Sequence, residues 1–130
     1  MTTTPEARLH AERNIWMATT RPDGRPHLAP VWFVYVDDAL WIGTGRGAVR
    51  TANLHTNANA AASLEDGDQP IVAEGSVVIH ERTRPPAVVD AFLDKYGWDI
   101  RIDEDVDVGQ VVVLELRPRK WLFADLPTFG

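Results

Sequence analysis

The sequence predicts a mainly β protein, a small antiparallel barrel in a single domain that covers residues 1–130. Six or seven short apolar segments have the length of strands. Tight turns join neighbouring segments, and Pro22-Asp23-Gly24 is a clear example because each of its residue types favours a turn. Few segments have helical periodicity. Short strands at close spacing with few helices are typical of small barrels.

Three helices are predicted around these strands. Thr4-Pro5-Glu6 provides an N-cap, a proline in the first turn and an early acid, so a helix is expected over 5–14. A shorter helix over 48–56 follows a glycine-rich turn. The third helix, over 86–96, carries an apolar stripe and ends at Gly97.

The predicted strands lie between these helices. Pro118 separates the last two strands, and Gly75 in the fifth is expected to mark a bulge or a close approach of two backbones. The second strand ends in the apolar run VWFVYV, which predicts burial on both faces, one in the barrel interior and one at a subunit interface. We therefore expect a homodimer. The predicted strands cover residues 15–21, 26–36, 39–44, 60–65, 71–81, 108–116 and 119–124.

Composition and charge argue against several classes of function. The chain has no cysteine, which removes disulfides, thiol nucleophiles and thiolate metal sites, and its four histidines lack the paired spacing of zinc ligands. A formal net charge of −6, with no dense basic face, argues against nucleic acid as a partner. No apolar run approaches the roughly 20 residues that span a bilayer, so we expect a cytoplasmic protein without a membrane partner.

The residues that most clearly indicate a ligand are 41–54, WIGTGRGAVRTANL. A short apolar strand runs into a glycine-rich turn, and a helix then begins, with Arg46 and Arg50 four residues apart. Glycines let a ligand come close to the backbone, a helix start offers free N–H groups to an anion, and arginines at this spacing share a helix face. The segment therefore predicts a phosphate site.

Two other motifs compete with this interpretation. Residues 43–48 match the G-x-G-x-x-A form of a dinucleotide-binding turn, with Glu65 near the place of a ribose-binding acid. The surrounding chain lacks the strand–helix alternation of a parallel doubly wound sheet, which disfavours that motif. Asp103, Asp105 and Asp107 are spaced like calcium ligands, but the glycine and the closing acid that should follow are each one residue out of place. We interpret this acidic segment as a solvated loop, and we expect it, together with the second strand, to border the substrate pocket.

Five tryptophans are many for a chain of this length. Most are expected in the core or at a dimer interface, because each buries a large area. Trp98 and Trp121 each lie just past a regular element, where an indole can form the wall of a site for a planar ligand.

Three segments carry a family resemblance. Residues 16–33 read WMATTRPDGRPHLAPVWF, residues 50–54 read RTANL, and residues 73–75 read AEG. In this order and spacing they resemble the first hairpin, the basic helix start and the long following strand of the pyridoxamine-phosphate-oxidase-like split β-barrel family. The match runs from about residue 9 to 124. The D-G-R-P-H-x-x-P-V-W-F hairpin resembles the branch that uses the deazaflavin F420, whose relatives use FMN.

The resemblance implies a homodimeric split barrel with two cofactor sites at the subunit interface. The cofactor ring would lie against the second strand and the phosphate beside the glycine-rich turn. Arg50 stands where family members carry Lys or Arg, whereas Ala52 stands where they often carry a second basic residue. The implied contacts of the ring are His27, Ala29, Pro30, Val31 and Trp32, and those of the phosphate are Thr44, Gly45, Arg46, Val49 and Arg50.

The expected function is hydride transfer between reduced F420 and a small unsaturated organic substrate. The alternatives are an FMN-dependent oxidoreductase on the same scaffold and a non-catalytic protein that binds a flavin or haem. Arg21 and Arg25, beside the first turn, are candidates to line an exit for the longer anionic tail of F420. No catalytic residue is identified, and the candidate proton donors are Tyr35, Tyr96 and His27.

Overall fold

The computed structural model describes residues 3–102 and 104–130. Three helices and eight strands follow one another along this part of the chain, which confirms the mainly β class. The helices are α1 (Pro5–Ala11), α2 (Val49–Thr56) and α3 (Pro86–Tyr96). The strands are β1 (Ile15–Thr20), β2 (Pro26–Val31), β3 (Phe33–Val36), β4 (Ala39–Gly45), β5 (Asn59–Leu64), β6 (Val72–His80), β7 (Glu104–Asp105) and β8 (Gly109–Leu122).

All strands pair antiparallel, in the order β2-β1-β5-β6-β8-β4-β3, and the short strand β7 forms a hairpin with β8. The sheet curls into a half barrel with β2 and β3 as its two edges. These edge strands follow each other in the chain and only Trp32 separates them. The half barrel is therefore open beside β2, where β2 also contacts β4.

The hydrophobic core has two parts, one on each face of the sheet. Inside the curl lie side chains such as Ile15, Phe33 and Leu114. On the outer face α3 packs through Phe92 against a smaller cluster that includes Trp41. Because successive side chains of a strand point to opposite faces, β3, β4 and β8 contribute to both parts of the core.

The predicted second strand is two strands, because its pairing changes at Trp32. Residues before this position pair with β1, and those after it pair with β4. Burial on both faces holds for β3, where Phe33, Val34 and Tyr35 are all buried. Strand β2 lies mostly before the apolar run, and there alternate residues face outward, with Leu28 61% exposed. The subunit interface expected on one face stays a prediction.

The predicted sixth and seventh strands are one long strand, β8, which runs through Pro118. A proline removes a ladder hydrogen bond, and sheets tolerate it at bulges. The pairing of β6 with β8 shifts register between Glu74 and Gly75, opposite this proline. An added Cβ at Gly75 would lie 2.0 Å from the carbonyl oxygen of Arg117, so the expected close approach at this glycine is confirmed.

Smaller differences concern the first helix and the acidic segment. Helix α1 ends at Ala11 rather than Asn14, because Glu12 is extended and its N–H closes the helix on the carbonyl of Arg8. The acidic segment contains β7, although Asp103 lies outside the described residues. Among the residues described, no three acids or histidines form a group that could hold a metal ion. In the same part of the chain, none of the helices has the length and apolarity to cross a membrane.

Candidate functional site

A cavity of about 400 Å³ lies at the opening of the half barrel, between the end of β2 and the end of β4. Helix α2 contributes one cation to it, the end of α3 contributes aromatic side chains, and the β7–β8 hairpin contributes two acids. The cavity is lined by Pro30, Val31, Trp32, Gly43, Thr44, Arg50, Tyr96, Gly97, Trp98, Asp105, Asp107 and Val108.

Two cavities of similar size, about 460 and 490 Å³, lie on the outer face of β1 and β5. Neither of them includes a residue of the predicted ring or phosphate contacts. One is lined by Arg119 and Lys120 among small side chains, and the other is apolar around Trp16 and Leu28. We therefore assign the candidate site to the cavity that contains Arg50.

Arg50 is a half-buried cation that forms no ion pair among the residues described. Its Nη1 donates to Thr44 Oγ1 at 2.5 Å. Among the described residues, its Nε has no acceptor and no carboxylate pairs with it. Burial lowers the pKa of Arg50 from its ordinary value, although an arginine stays charged in proteins. Because a buried donor without an acceptor costs about 1–3 kcal/mol, an anion beside Arg50 would relieve this cost.

The start of α2 is held against the end of β4 by short polar contacts. Thr51 Oγ1 donates to the carbonyl of Gly45 at 2.8 Å. The N-cap residue Ala48 supplies no side-chain acceptor, so the N–H groups of the first turn remain available to an anion. An added Cβ at Gly45 would lie 2.3 Å from the carbonyl oxygen of Val108, so the packing of the turn requires glycine there.

Three aromatic rings line the cavity. Trp32 and Tyr96 stack with their centroids 4.4 Å apart, and Trp98 meets Trp32 edge-on at 6.2 Å. The indole of Trp98 lies against Gly43, where an added Cβ would come within 2.6 Å of the ring. The hydroxyl of Tyr96 accepts the N–H of Phe33 at 3.0 Å, and burial raises its pKa. The wall is therefore apolar and aromatic, as a planar ring system requires.

The structure brings half of the predicted site residues to this cavity. Arg46 instead forms an ion pair with Glu81 at 3.3 Å, and Val49 is about half exposed. The cofactor contacts of all ten residues stay predictions. Those that line it are Pro30, Val31, Trp32, Thr44 and Arg50, and those that do not are His27, Ala29, Gly45, Arg46 and Val49.

The aromatic residues proposed for the site also divide into those that line the cavity and those that lie in the core. Trp98 lines the cavity, whereas Trp121 is buried in the core and donates its Nε1–H to the carbonyl of Pro127. Tyr35 is also in the core, where burial, together with Asp38 and Glu6, raises its pKa to about 12.

Sequence reasoning missed Gly43 as a lining residue, whereas the acidic segment, expected to border the substrate pocket, lines the cavity through Asp105 and Asp107. Gly43 is the first glycine of the turn, and the need for space above it follows only from the position of Trp98. The hairpin reaches the cavity through pairing of β8 with β4, a contact between distant parts of the sequence. No local pattern signals it.

A half barrel of antiparallel strands that is open beside one edge strand defines the split β-barrel class of proteins. Within this class, the model of the pyridoxamine 5'-phosphate oxidase family matches residues 1–125. The chain belongs to this family.

Solved structures resemble the chain at low sequence identity. A protein described as an F420 reductase is 21% identical with a TM-score of 0.73, over 95% of this chain and 99% of that one. HutZ, a heme storage protein from Vibrio cholerae, is 18% identical with a TM-score of 0.73, over 94% of both chains. An FMN-binding, pyridoxamine 5'-phosphate oxidase-related protein from Nostoc punctiforme is 15% identical with a TM-score of 0.62, over 84% of this chain and 72% of that one. These likenesses show the fold. No curated protein matches the chain.

Proposed function

We propose that this protein is an oxidoreductase that transfers a hydride between reduced F420 and a small unsaturated organic substrate. The observation that carries the proposal is the half-buried Arg50, which is bonded to Thr44 and has no carboxylate partner among the described residues. Such a group is suited to the phosphate of a cofactor. The similarity of the fold to that of a protein described as an F420 reductase supports the choice of a deazaflavin.

The residues of the cavity fit two parts of such a cofactor, its phosphate and its ring. Arg50, Thr44 and the free N–H groups at the start of α2 would hold the phosphate through charge-assisted hydrogen bonds. The aromatic wall formed by Trp32 and Trp98 would cover the ring and keep water from it. F420, when bound, supplies the hydride, and the protein supplies orientation and a shaped, dry site.

FMN also carries a phosphate, so the same observation makes FMN the second candidate cofactor. The structural similarity to an FMN-binding relative supports it. Haem is a weaker candidate, because none of the four histidines lines the cavity and the commonest axial ligand is therefore missing from its walls.

A second copy of this chain is the proposed partner. The outer face of β1 and β2 exposes Trp16 and Leu28 beside an apolar groove of about 490 Å³. Contiguous apolar surface of this kind marks an interaction site. In the proposed homodimer these faces meet, and each copy completes the site of the other.

Titration of the protein with FMN and with oxidised F420, followed by tryptophan fluorescence, tests the proposal. We expect tight binding of F420 and weaker binding of FMN. Arg50→Ala should weaken binding by about 1.5–3 kcal/mol, the range for a hydrogen bond to a charged group. The matched control is Arg101→Ala, because Arg101 is exposed and pairs with Asp99.

Each outcome of this titration decides the proposal. Loss of affinity in Arg50→Ala, with the Arg101 variant unchanged, supports the phosphate site. Unchanged affinity in a folded Arg50→Ala variant contradicts it. Tight FMN binding with weak F420 binding makes the protein an FMN enzyme on the same scaffold. For a protein that binds F420, oxidation of reduced F420 by a panel of unsaturated acceptors separates an enzyme from a carrier.

A further inference from the structure

A group of basic side chains meets beside the candidate site, at the start of β2. His27 pairs with Thr19 across the β1–β2 ladder. Asn53 of α2 donates its side-chain N–H to Thr19 Oγ1 at 3.1 Å, which fixes α2 above this pair. Arg50 lies three residues before Asn53 and therefore shares its helix face. His27 and Arg50 accordingly face the same end of the half barrel.

In the described part of the chain, one ring nitrogen of His27 lacks a hydrogen bond. Its Nδ1 is buried and has no hydrogen-bond partner among the described residues, as is also true of Arg50 Nε. Two unpartnered nitrogens on neighbouring basic side chains are a costly arrangement, since each is cut off from water. An oxyanion between them would bond both.

The two charged groups that act most on His27, Arg21 and Arg50, are both cations. Arg21 lies close by, because its Nη1 donates to the carbonyl of Pro26 at 2.9 Å. Asp23, in the same turn, is bound to Arg25 at 2.8 Å. Burial lowers the pKa of His27, and the fields of Arg21 and Arg50 lower it further. Without an anion, the neutral form of His27 is therefore favoured.

We propose that His27 is a proton-coupled part of the anion site, which takes up a proton from solvent when a phosphate group or another oxyanion binds beside Arg50. The inference rests on the proposed function, in that the anion is the phosphate of the cofactor. A bound anion screens His27 from both arginines and accepts a charged N–H bond, so it favours the imidazolium. By linkage, the anion binds more tightly as the pH falls through the titration of His27.

Histidine ring NMR signals, followed against pH with and without sodium sulfate, test this coupling. Sulfate is a suitable probe because it stays divalent throughout the histidine range. His27→Gln assigns the signal of His27, and His55, exposed at the end of α2, is the internal control. We expect saturating sulfate to raise the pKa of His27 by about one unit or more, equivalent to a tenfold gain in affinity for the protonated form. Sodium chloride at matched ionic strength should not.

The Arg50 Nε signal reports anion binding independently of His27. If sulfate shifts Arg50 but leaves the titration of His27 unchanged, the coupling is wrong and the anion site stands. If sulfate shifts neither group, the anion site itself is wrong, and the proposed function fails with it. If chloride and sulfate shift the pKa of His27 equally, the shift is due to ionic screening, and the proposed coupling is wrong. A specific shift of His27 that disappears in Arg50→Ala confirms it.

Discussion

Gly75 is a residue at which the backbones of β6 and β8 lie close together. An added Cβ there would lie 2.0 Å from the carbonyl oxygen of Arg117 and 2.8 Å from its carbonyl carbon. Because these are backbone atoms of the central ladder, moving either of them would disturb the pairing of β6 with β8. We expect Gly75→Ala to lower the free energy of unfolding by about 1–3 kcal/mol, the usual cost of overpacking, measured by urea denaturation.

Two other glycines allow the stability cost of alanine at position 75 to be compared. Gly47 has open space where its Cβ would be, so Gly47→Ala is the matched control and should leave the urea midpoint nearly unchanged. Gly43 faces the far end of the Trp98 ring, which can swing aside, so alanine there should cost less than at position 75. Equal stability of the Gly75 and Gly47 variants would mean that the β8 bulge relaxes around a methyl group.

At the scale of elements, α3 protects the exposed edge of the sheet. Edge strand β3 has one row of backbone groups without a neighbouring strand. The hydroxyl of Tyr96 accepts the N–H of Phe33 at 3.0 Å, and Lys95 Nζ donates to the carbonyl of the same residue at 3.0 Å. Lys95 also reaches the carbonyl of Leu9 at 3.3 Å, so one ammonium group ties α3 to both β3 and α1.

This position of Lys95 predicts an alkaline rise in stability. Burial, with a contribution from Arg13, lowers the pKa of Lys95 to about 8 against the opposing field of Glu12. An unfolded lysine titrates near 10.4, so between about pH 8 and 10 the unfolded chain binds more protons than the folded one. The free energy of unfolding should therefore rise with pH in this window. Below this window Lys95 is protonated in both states, so the free energy of unfolding no longer changes with pH through this group.

Urea denaturation across this pH window measures the effect. Lys95→Met should flatten the rise because it removes the titrating group. The other lysine, Lys120, is exposed on β8, so Lys120→Met is the control and should keep the rise. A rise of the same size in the Lys95 and Lys120 variants would assign the titration to another group.

The fold and the site differ in how much of them the sequence predicts. Turn residues and apolar segments are local signals, so the barrel class and the close approach at Gly75 were predicted correctly. The continuity of β8 through Pro118 was not, because a bulge depends on the partner strand. Arg46 and Arg50 look equivalent in sequence, but Arg46 pairs with Glu81, whereas Arg50 forms no ion pair among the described residues. That distinction arises from long-range packing.

At the scale of the whole molecule, the outer face of β1 and β2 is the surface proposed to meet a second copy. Leu28 is 61% exposed there and Trp16 is 37% exposed, at the border of the apolar groove. Leu28→Asp places a charge at this face without disturbing the core, because the side chain already faces solvent in a single chain. A buried charge without a partner is costly, so the dimer should dissociate.

Sedimentation equilibrium measures this change in mass. We expect the unmodified protein to sediment as a dimer and Leu28→Asp as a folded monomer with an unchanged far-ultraviolet circular dichroism spectrum. Leu93→Asp is the matched control, because Leu93 is 47% exposed on α3, away from this face, and should leave the dimer intact. A monomeric unmodified protein, or a Leu28→Asp variant that stays dimeric, would contradict the assignment of this face. If each copy completes the site of the other, Leu28→Asp should also weaken cofactor binding, whereas Leu93→Asp should not.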